Sequence, residues 1–358
     1  MWLRCLLLPY SFVFLRALVV RKMASYLIFV SYLRHLRKSA RTNTIIFMKK
    51  ILLMLFTCPI GLIFAQYPQT DVYMLKIKPK KQQIQVSHLT QISDNEGYDN
   101  QPYFTPDGKD IFFVSQVKGQ TQTDVYQYHI HQAGHRKVRQ VTNTPESEFS
   151  PKFNPKTHRI SAVRIETDKD STQRFWDLSV MYGKYYKALR EREFVISEQL
   201  KGIGYYDWVN KEEAAVFIVG EKKHALYRFD TRFPAQKQPI HDNVGRAILK
   251  VPHKNAITFV SKSENNWKIM KYDFGKDSLT EVVATLPECE DFCWHPKGYL
   301  LAGDKGKLYA FYPKKKKDNP GWVQVADLTA LGISDFYRLT VNKRGNRMAI
   351  VTFTGKKP

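Results

Sequence analysis

Short apolar runs recur along the chain between polar turns, and each run has the length of a β-strand. They are Ile111–Ser115, Ala215–Val219, Ile257–Ser261 and Met348–Thr352. The runs are rich in β-branched and aromatic residues, which favours strands over helices. A polar turn precedes each run, as at Pro106–Lys109, where proline presets φ and glycine supplies a positive φ. The pattern therefore predicts two-stranded hairpins repeated along the chain.

The spacing of these hairpins indicates a large structural repeat. With Pro106 as the marker, equivalent positions fall at Pro155, Asn210, Pro252, Pro296 and Lys343. The steps of 49, 55, 42, 44 and 47 residues match a propeller blade and exceed the period of helical hairpin arrays. A third strand follows in each repeat, as at Thr123–Tyr128, and a fourth is indicated by Val138–Thr142. Four strands in about 45 residues describe one blade of a β-propeller.

The two ends of this repeat array are complementary. The last copy stops after its second strand at Thr352, whereas the array begins with a third-strand sequence, Thr70–Leu75, that nearly duplicates Thr123–Tyr126. A fourth-strand candidate, Val86–Thr90, comes next. We therefore predict an all-β fold, a six-bladed β-propeller of four-stranded blades. Pairing of the N-terminal strands, at about residues 70–90, with the C-terminal blade is expected to close the ring and remove its sheet edge.

The blade pattern resembles that of TolB-type six-bladed propellers, whose blades are similar to WD repeats. The match is close over residues 98–128 and looser over the rest of residues 70–352. It involves turn and core residues, so it implies a fold and says little about function. We expect the small α/β domain that precedes the propeller in TolB to be missing, because nothing helical lies between residue 66 and the first blade.

Residues 48–65 have the organisation of a secretory signal peptide. Lys49 and Lys50 supply a positive n-region, an apolar stretch follows, and Ala65 is a small residue before Gln66. This segment predicts an exported protein, located in the periplasm or at the cell surface.

The signal peptide implies that Met48 is the natural start of the protein. Residues 1–47 are then an over-extended gene model, and residues 66–358 form a single propeller domain. The alternatives are a membrane-associated leader in residues 1–47, an uncleaved anchor, and a lipoprotein whose lipid is attached to Cys58. We expect the protein to contact the membrane only if a lipid is attached to Cys58. In that case it would be a structural or assembly factor anchored to the membrane.

The charge of the chain favours anionic partners. The sequence has 56 Lys and Arg against 33 Asp and Glu, a net charge of +23. Removal of residues 1–65 leaves 46 basic and 33 acidic residues, a net charge of +13. Acidic glycans and lipid headgroups suit such a balance, and a well-solvated basic surface is the alternative. Because the protein is expected to be exported, we expect no nucleic-acid partner. We also expect it to be a monomer.

The loops that lead into the inner strands are rich in acidic, aromatic and polar residues. In a propeller these loops meet at one mouth of the central channel, and ligands bind where several loops converge. Aromatic rings beside carboxylates and arginines suit a sugar or a peptide. The alternative is that these residues populate turns and pack between blades. The candidate ligand-binding residues are Glu96, Tyr98, Asp99, Glu148, Tyr205, Tyr206, His241, Asp242, Arg246, Asp291, Tyr337 and Arg338.

Cys289 and Cys293 are the only cysteines after residue 65. A disulfide between them suits an oxidising compartment, but it requires a turn at residues 290–292 to bring the Cα atoms together. Two buried thiols are the alternative. A metal site formed with His295 lacks a fourth ligand.

The sequence contains no catalytic signature. It has no Gly-x-Ser-x-Gly elbow, phosphate loop, dinucleotide fingerprint or His-Glu-x-x-His motif. His129, His131 and His135 cluster in an outer hairpin, where solvated histidines are expected. We therefore expect no metal, no cofactor and a non-enzymatic module that binds a protein or an anionic glycan at the cell envelope. The alternative is a propeller enzyme, a lyase or hydrolase, that acts on an acidic polysaccharide.

Overall fold

The computed structural model describes residues 67–80, 83–117, 119–132, 137–166, 172–181, 193–313 and 321–354. The chain divides into two units, and the second of them, Gln69–Lys357, contains the whole β-structure given below. The predicted signal peptide, the 47 residues before it and Cys58 lie outside the described residues and stay predictions. Within the described ranges, no helix combines the length and apolar composition needed to cross a bilayer.

The described residues form six four-stranded antiparallel blades. Blade 1 contains β3 (Gly97–Phe104), β4 (Asp110–Val117), β5 (Asp124–His129) and β6 (Val138–Gln140). Blade 2 contains β7 (Ser147–Phe153), β8 (Arg159–Ile165), β9 (Gln173–Met181) and β10 (Phe194–Ser197). Blade 3 contains β11 (Ile203–Trp208), β12 (Glu213–Ile218), β13 (Ala225–Asp230) and β14 (Lys237–Asp242). Blade 4 contains β15 (Val244–Lys250), β16 (Ala256–Ser261), β17 (Lys268–Asp273) and β18 (Ser278–Ala284). Blade 5 contains β19 (Phe292–His295), β20 (Tyr299–Asp304), β21 (Lys307–Phe311) and β22 (Val323–Asp327). A short 3₁₀ helix, Thr329–Leu331, follows blade 5.

Blade 6 combines the two ends of the array, as predicted. Its inner strands are β23 (Leu339–Val341) and β24 (Arg347–Phe353), and its outer strands are β1 (Thr70–Pro79) and β2 (Ile84–Gln91). β1 pairs with β24 in antiparallel register from Thr70↔Phe353 to Lys76↔Arg347, and β2 pairs with the other side of β1. The predicted pairing of the chain's two ends is therefore confirmed.

The innermost strands of the blades contact one another in sequence order. β3 contacts β7, β7 contacts β11, β11 contacts β15, β15 contacts β19, β19 contacts β23, and β23 contacts β3. One parallel bridge, Thr70↔Tyr98, also joins blade 6 to blade 1. In a cycle of six inner strands, β11 and β23 face each other across the central channel.

The blade cores consist of the apolar runs that predicted the strands. The second strands are largely buried, and every residue of β16 is inaccessible or nearly so. Phe104 and Phe113 lie in one buried cluster. The turn before β4 has the predicted chemistry: the Gly108 amide donates to the Thr105 carbonyl at 2.9 Å, with Gly108 at φ 70°.

Candidate functional site

The inner strands of all six blades enclose a cavity of about 610 Å³. This volume lies within the range of protein sites that enclose a ligand. The cavity extends from the residues that lead into the inner strands to the turns where those strands end. We call it the channel, and we call these two limits its inlet end and its turn end.

Six equivalent positions surround the channel at its inlet end. Each lies five residues before the marker of its repeat, and they are Gln101, Ser150, Tyr205, Ala247, Asp291 and Arg338. A local distortion positions several of these residues. The ladders of β3, β7, β11 and β15 with their second strands shift register at this level, and Gln101 and Ser150 both have φ 54°. Such a bulge redirects side chains relative to regular alternation.

A hydrogen bond spans the channel at the inlet end. The Arg338 Nη2 donates to the Tyr205 hydroxyl at 3.0 Å, and the guanidinium lies 5.2 Å from the centre of the Tyr205 ring. Tyr205 belongs to β11 and Arg338 immediately precedes β23, so the contact connects opposite blades. We call this pair the crossbar.

A second arginine at the same level is fully paired with a carboxylate. Arg246 donates from Nε to the Asp291 Oδ1 at 3.1 Å and from Nη2 to the Asp291 Oδ2. Burial acts to raise the pKa of Asp291, but the charge and hydrogen bonds of Arg246 bring this pKa below its usual value. The pair is therefore an ionised, bidentate salt bridge.

The Arg246–Asp291 salt bridge is supported from behind. Glu290 accepts the Arg246 backbone amide at 3.1 Å and forms an ion pair with Lys262. The Lys262 ammonium also lies 4.1 Å from the centre of the Trp267 ring. Opposite charges therefore alternate through this cluster, which fixes the orientation of Arg246.

Tyr337 also lies at the inlet end, and we call Tyr205, Arg246, Asp291, Tyr337 and Arg338 the inlet cluster. The Tyr337 hydroxyl accepts a hydrogen bond from the Asn100 side chain, and the Arg246 guanidinium lies 5.6 Å from the centre of the Tyr337 ring. Burial raises the pKa of Tyr337, so its hydroxyl stays protonated and neutral at neutral pH.

The middle of the channel has apolar walls and one ion pair. Lys152 and Asp207 approach to 3.4 Å, and Asp207 also accepts the Lys250 backbone amide at 2.8 Å. The remaining wall is largely apolar and includes Phe104, Ile248, Leu249, Phe292, Trp294 and Leu339. At the turn end the lining residues Lys250, His253 and Lys343 are exposed, so this end is open to solvent and basic.

Five of the twelve candidate residues line the channel. They are Tyr205, Tyr206, Arg246, Asp291 and Arg338. Of these, Tyr206 is almost fully buried and donates to the Ser161 hydroxyl at 2.9 Å. Tyr337 is not part of the lining but contacts Arg246 behind it.

The other six candidates lie away from the channel lining. Tyr98, Asp99 and Glu148 are buried between blades, which is the packing alternative raised by the sequence. His241 and Asp242 end β14, the outermost strand of blade 3, and His241 contacts the Ser261 hydroxyl at 2.7 Å. Glu96 lies in the loop before β3.

The sequence analysis identified Tyr205, Tyr206 and Arg246 but missed other lining residues of the inner strands. Lys152, Asp207 and Trp294 lie within the inner strands, and the predicted site was based on the loops that lead into those strands. The repeat phase contained a usable signal, because Lys152 and Asp207 both lie three residues before their markers.

The two cysteines are free thiols in the structure, which favours the buried-thiol alternative over the predicted disulfide. Cys293 packs in the core shared by blades 5 and 6, and the Cys289 thiol donates to the Asp291 carbonyl at 3.2 Å. Burial raises the pKa of Cys289 to about 12, so its thiol stays protonated at neutral pH. Its position beside the Arg246–Asp291 salt bridge is structural.

The described histidines and acids do not form a metal-binding group of three or more. His129 lies 2.6 Å from an Asp110 carboxylate oxygen in the outer hairpin, and His135 lies outside the described residues. His295 is buried, stacks on Tyr299 and contacts the Gly345 carbonyl at 3.1 Å.

No family model and no curated protein matches the sequence. Among solved structures, a putative TolB from Agrobacterium tumefaciens is similar, with 12% identity over 81% of this chain and 99% of that chain and a TM-score of 0.52. TolB from Acinetobacter baumannii has 12% identity over 79% of this chain and 64% of that chain, with a TM-score of 0.47. Oligogalacturonate lyase from Vibrio parahaemolyticus has 12% identity over 79% of this chain and 98% of that chain, with a TM-score of 0.44. The first likeness confirms the predicted TolB-like propeller fold, and at this identity it is a statement about fold alone.

Proposed function

We propose that this chain is an exported propeller that binds a protein or a glycan at the cell envelope, in its central channel, without catalysis. The observation that carries the proposal is the channel itself. It combines about 610 Å³ of volume, apolar walls and a polar end that contains two arginines. Concave sites with apolar walls and a few converging polar groups are the usual form of ligand sites.

The charge distribution supports an anionic partner. Lys250 and Lys343 lie at the turn end. At the inlet end, Arg338 is a cation outside the Arg246–Asp291 salt bridge. Positive potential at a channel end attracts and orients anionic ligands.

The groups in the channel support binding more than acid–base chemistry. Asp207 and Asp291 are each held by a cation or a backbone amide. The one histidine among the lining residues, His253, is exposed at the turn end. A general base has to reach a substrate proton and stay free to accept it, and neither carboxylate is free in this sense.

A blocked channel tests the proposal. Ala247 lines the channel, so Ala247→Trp should fill it, whereas Leu279→Trp changes an exposed residue on the outer strand of the same blade. The full-length protein and both variants are immobilised and exposed to envelope extract and to a glycan array. We expect the unchanged protein and Leu279→Trp to retain the same protein or glycan, and Ala247→Trp to lose it.

Two outcomes would overturn this function. One is that every protein or glycan retained by the unchanged protein is also retained by Ala247→Trp. The other is the appearance of unsaturated uronide products when the protein is incubated with acidic polysaccharides, with or without a divalent metal. The second outcome would establish the enzyme alternative.

A further inference from the structure

The two arginines of the inlet cluster both use the Nε and Nη2 edge of the guanidinium, but this edge has different acceptors in each. The Nε and Nη2 edge of Arg246 holds both oxygens of Asp291. The same edge of Arg338 holds one neutral hydroxyl, that of Tyr205, through Nη2. In the described part of the chain, the Arg338 Nε has no hydrogen-bond acceptor, although it is buried.

An unfilled guanidinium donor is costly inside a protein. A buried donor without an acceptor loses its bond to water and gains nothing in return, and the penalty is larger for a charged group. Asp291 acts on this charge through space, but its carboxylate oxygens accept hydrogen bonds from Arg246 and not from the Arg338 Nε. The inlet end therefore contains one guanidinium donor direction that the described residues leave unused.

A carboxylate fits this edge. Its two oxygens match the Nε and Nη2 donors of an arginine in a planar, bidentate arrangement. Asp291 on Arg246 is an example of that arrangement within the same cluster. On Arg338, the Tyr205 hydroxyl occupies the place of one carboxylate oxygen, and the place of the second is empty of acceptors.

A second unused donor lies at the same level of the channel. Ser150 is the repeat equivalent of Arg338, and its buried hydroxyl has no partner among the described residues. Its backbone amide is bonded to the Gln101 side chain, so the residue is held in position while its hydroxyl is unused. Both residues line the channel, and the two unused atoms are buried beside it.

The channel between the crossbar and the turn end selects the kind of molecule that carries the carboxylate. Its walls include Ile248, Leu249, Phe292 and Leu339, which offer few hydrogen bonds. A uronic acid has hydroxyl groups all around its ring, and each would lose water against such walls. An extended peptide can place apolar side chains against these walls, while its main-chain groups still need polar partners.

The dimensions of the channel agree with a short peptide. An inner strand covers the distance from the crossbar level to the turn in five residue steps, which is roughly 17 Å at the rise of a β-strand. An extended segment of about four or five residues has this length. Its body would enter past the exposed Lys250 and Lys343, and its terminal carboxylate would reach Arg338.

We infer that the Nε and Nη2 edge of Arg338 binds a carboxylate, and that the ligand is the C-terminal end of an extended polypeptide with apolar side chains. The inference rests on the proposed binding function of the channel and names the ligand class. Bound there, the carboxylate replaces the Tyr205 hydroxyl on Nη2 and supplies the missing acceptor to Nε.

The test uses the full-length protein and two matched sets of probes. One is a pool of N-acetylated tetrapeptides that end in Leu or Phe with a free carboxylate, and the other is the same pool with a C-terminal amide. A galacturonic acid trimer is the third probe. Calorimetric titration is expected to give at least tenfold tighter binding of the free-acid pool than of the amide pool, and weaker binding of the trimer.

Two conservative variants separate the edge of Arg338 from its charge. Arg338→Lys keeps the charge but loses the bidentate edge, so it should weaken free-acid binding at least tenfold and amide binding much less. Tyr205→Phe removes the competing hydroxyl, so free-acid binding should be equal or up to about fivefold tighter. Thermal unfolding of both variants checks that the propeller is intact.

The inference fails if the two peptide pools bind equally, if Arg338→Lys weakens both pools alike, or if the trimer binds more tightly than either pool. These failures are distinguishable from failure of the proposed function. A partner that binds the unchanged protein but not Ala247→Trp would still establish the channel as the binding site. Loss of every channel-dependent ligand would remove both proposals.

Discussion

Two junctions between neighbouring blades use the same positions with different chemistry. The closing seam joins blade 6 to blade 1 and consists of Thr70, Asp71, Ser93, Asp99 and Ser115. The internal seam joins blade 1 to blade 2 and consists of Thr123, Asp124, Thr142, Glu148 and Arg164. Each residue of one set is the repeat equivalent of its counterpart in the other, because the pairs Asp99↔Ser115 and Glu148↔Arg164 occupy the same rungs of their blades.

The backbone contacts of the two seams are the same. The Thr70 hydroxyl donates to the Asp99 carbonyl at 2.9 Å, and the Thr123 hydroxyl donates to the Glu148 carbonyl at 2.9 Å. The Ser93 hydroxyl accepts the amide of Val72 at 2.8 Å, as the Thr142 hydroxyl accepts that of Val125. These bonds to the main chain connect one blade to the next irrespective of the charges nearby.

The buried acids of the two seams have different partners. Glu148 accepts from the Arg164 Nε at 2.9 Å and from the hydroxyls of Thr144 and Thr142 at 2.6 and 3.0 Å. Asp99 is equally inaccessible, yet neither of its carboxylate oxygens has a hydrogen-bond partner among the described residues. Ser115 stands where the internal seam has its arginine. The comparison shows that main-chain bonds are shared by both seams and that charge compensation is present at only one.

We expect the largest change in the free energy of unfolding when the cation of the internal seam is removed. Arg164→Met should destabilise the protein by about 3–5 kcal/mol, because it leaves Glu148 buried without its ion pair. Burial already raises the pKa of Glu148 to about 7 against the lowering effects of Thr144 and Arg164. Urea unfolding at about pH 9, where Glu148 is ionised, measures the loss.

A double variant isolates the charge from the packing. Arg164 also contacts Glu193 and stacks on Trp176, so part of the loss reflects those contacts. Arg164→Met combined with Glu148→Gln should recover more than half of the lost stability. If the double variant is no more stable than the single one, the internal seam does not depend on charge compensation.

The closing seam should respond in the opposite direction to loss of its acid. Burial raises the pKa of Asp99 to about 6. Burial and the charge of Asp94 likewise raise the pKa of Asp71 to about 6. Since a raised pKa means that the folded state binds the proton more tightly, these groups add stability as the pH falls from about 8 to about 4.

Asp99→Asn should therefore stabilise the protein at pH 8 by on the order of 2 kcal/mol. The gain should shrink through pH 6 and vanish near pH 4, where the unchanged Asp99 is itself protonated. Urea unfolding across this pH range measures it, with the exposed Asp242→Asn as a control that should change little. Destabilisation by Asp99→Asn at pH 8 would mean that the charge of Asp99 has a partner.

The blades were predictable from the sequence because their signals are local. Apolar runs, the turn at Pro106–Gly108 and the duplicated Thr-Asp-Val-Tyr at residues 70 and 123 each act within a few residues. Together they gave the repeat phase, the number of blades and the pairing of β1 with β24. The fourth strands of blades 3 to 5 were expected but not located, and in β14 the residues Lys237, Gln238 and Pro239 give a weak strand signal.

The candidate site was only partly predictable, since a bulge decides which residues face the channel. Asp99 and Gln101 would share one face of a regular strand, but the ladder shifts register between Asn100 and Tyr103. Gln101 therefore lines the channel, whereas Asp99 lies between blades. The contact between Tyr205 and Arg338 joins residues 133 positions apart, and no local pattern indicates it.

The smallest predicted effect concerns the contact that the two seams share. Thr70→Val and Thr123→Val each remove one buried hydroxyl bond to a carbonyl while keeping the shape of the side chain. Each should cost about 1 kcal/mol. Because the two bonds lie at different seams and share no residue, the double variant should cost the sum of the two within about 0.5 kcal/mol. Urea unfolding of the three variants gives these values.

A cost for Thr70→Val well above that for Thr123→Val would show that the closing seam depends on this bond more than the internal seam does. Equal costs would locate the difference between the seams in the acids alone.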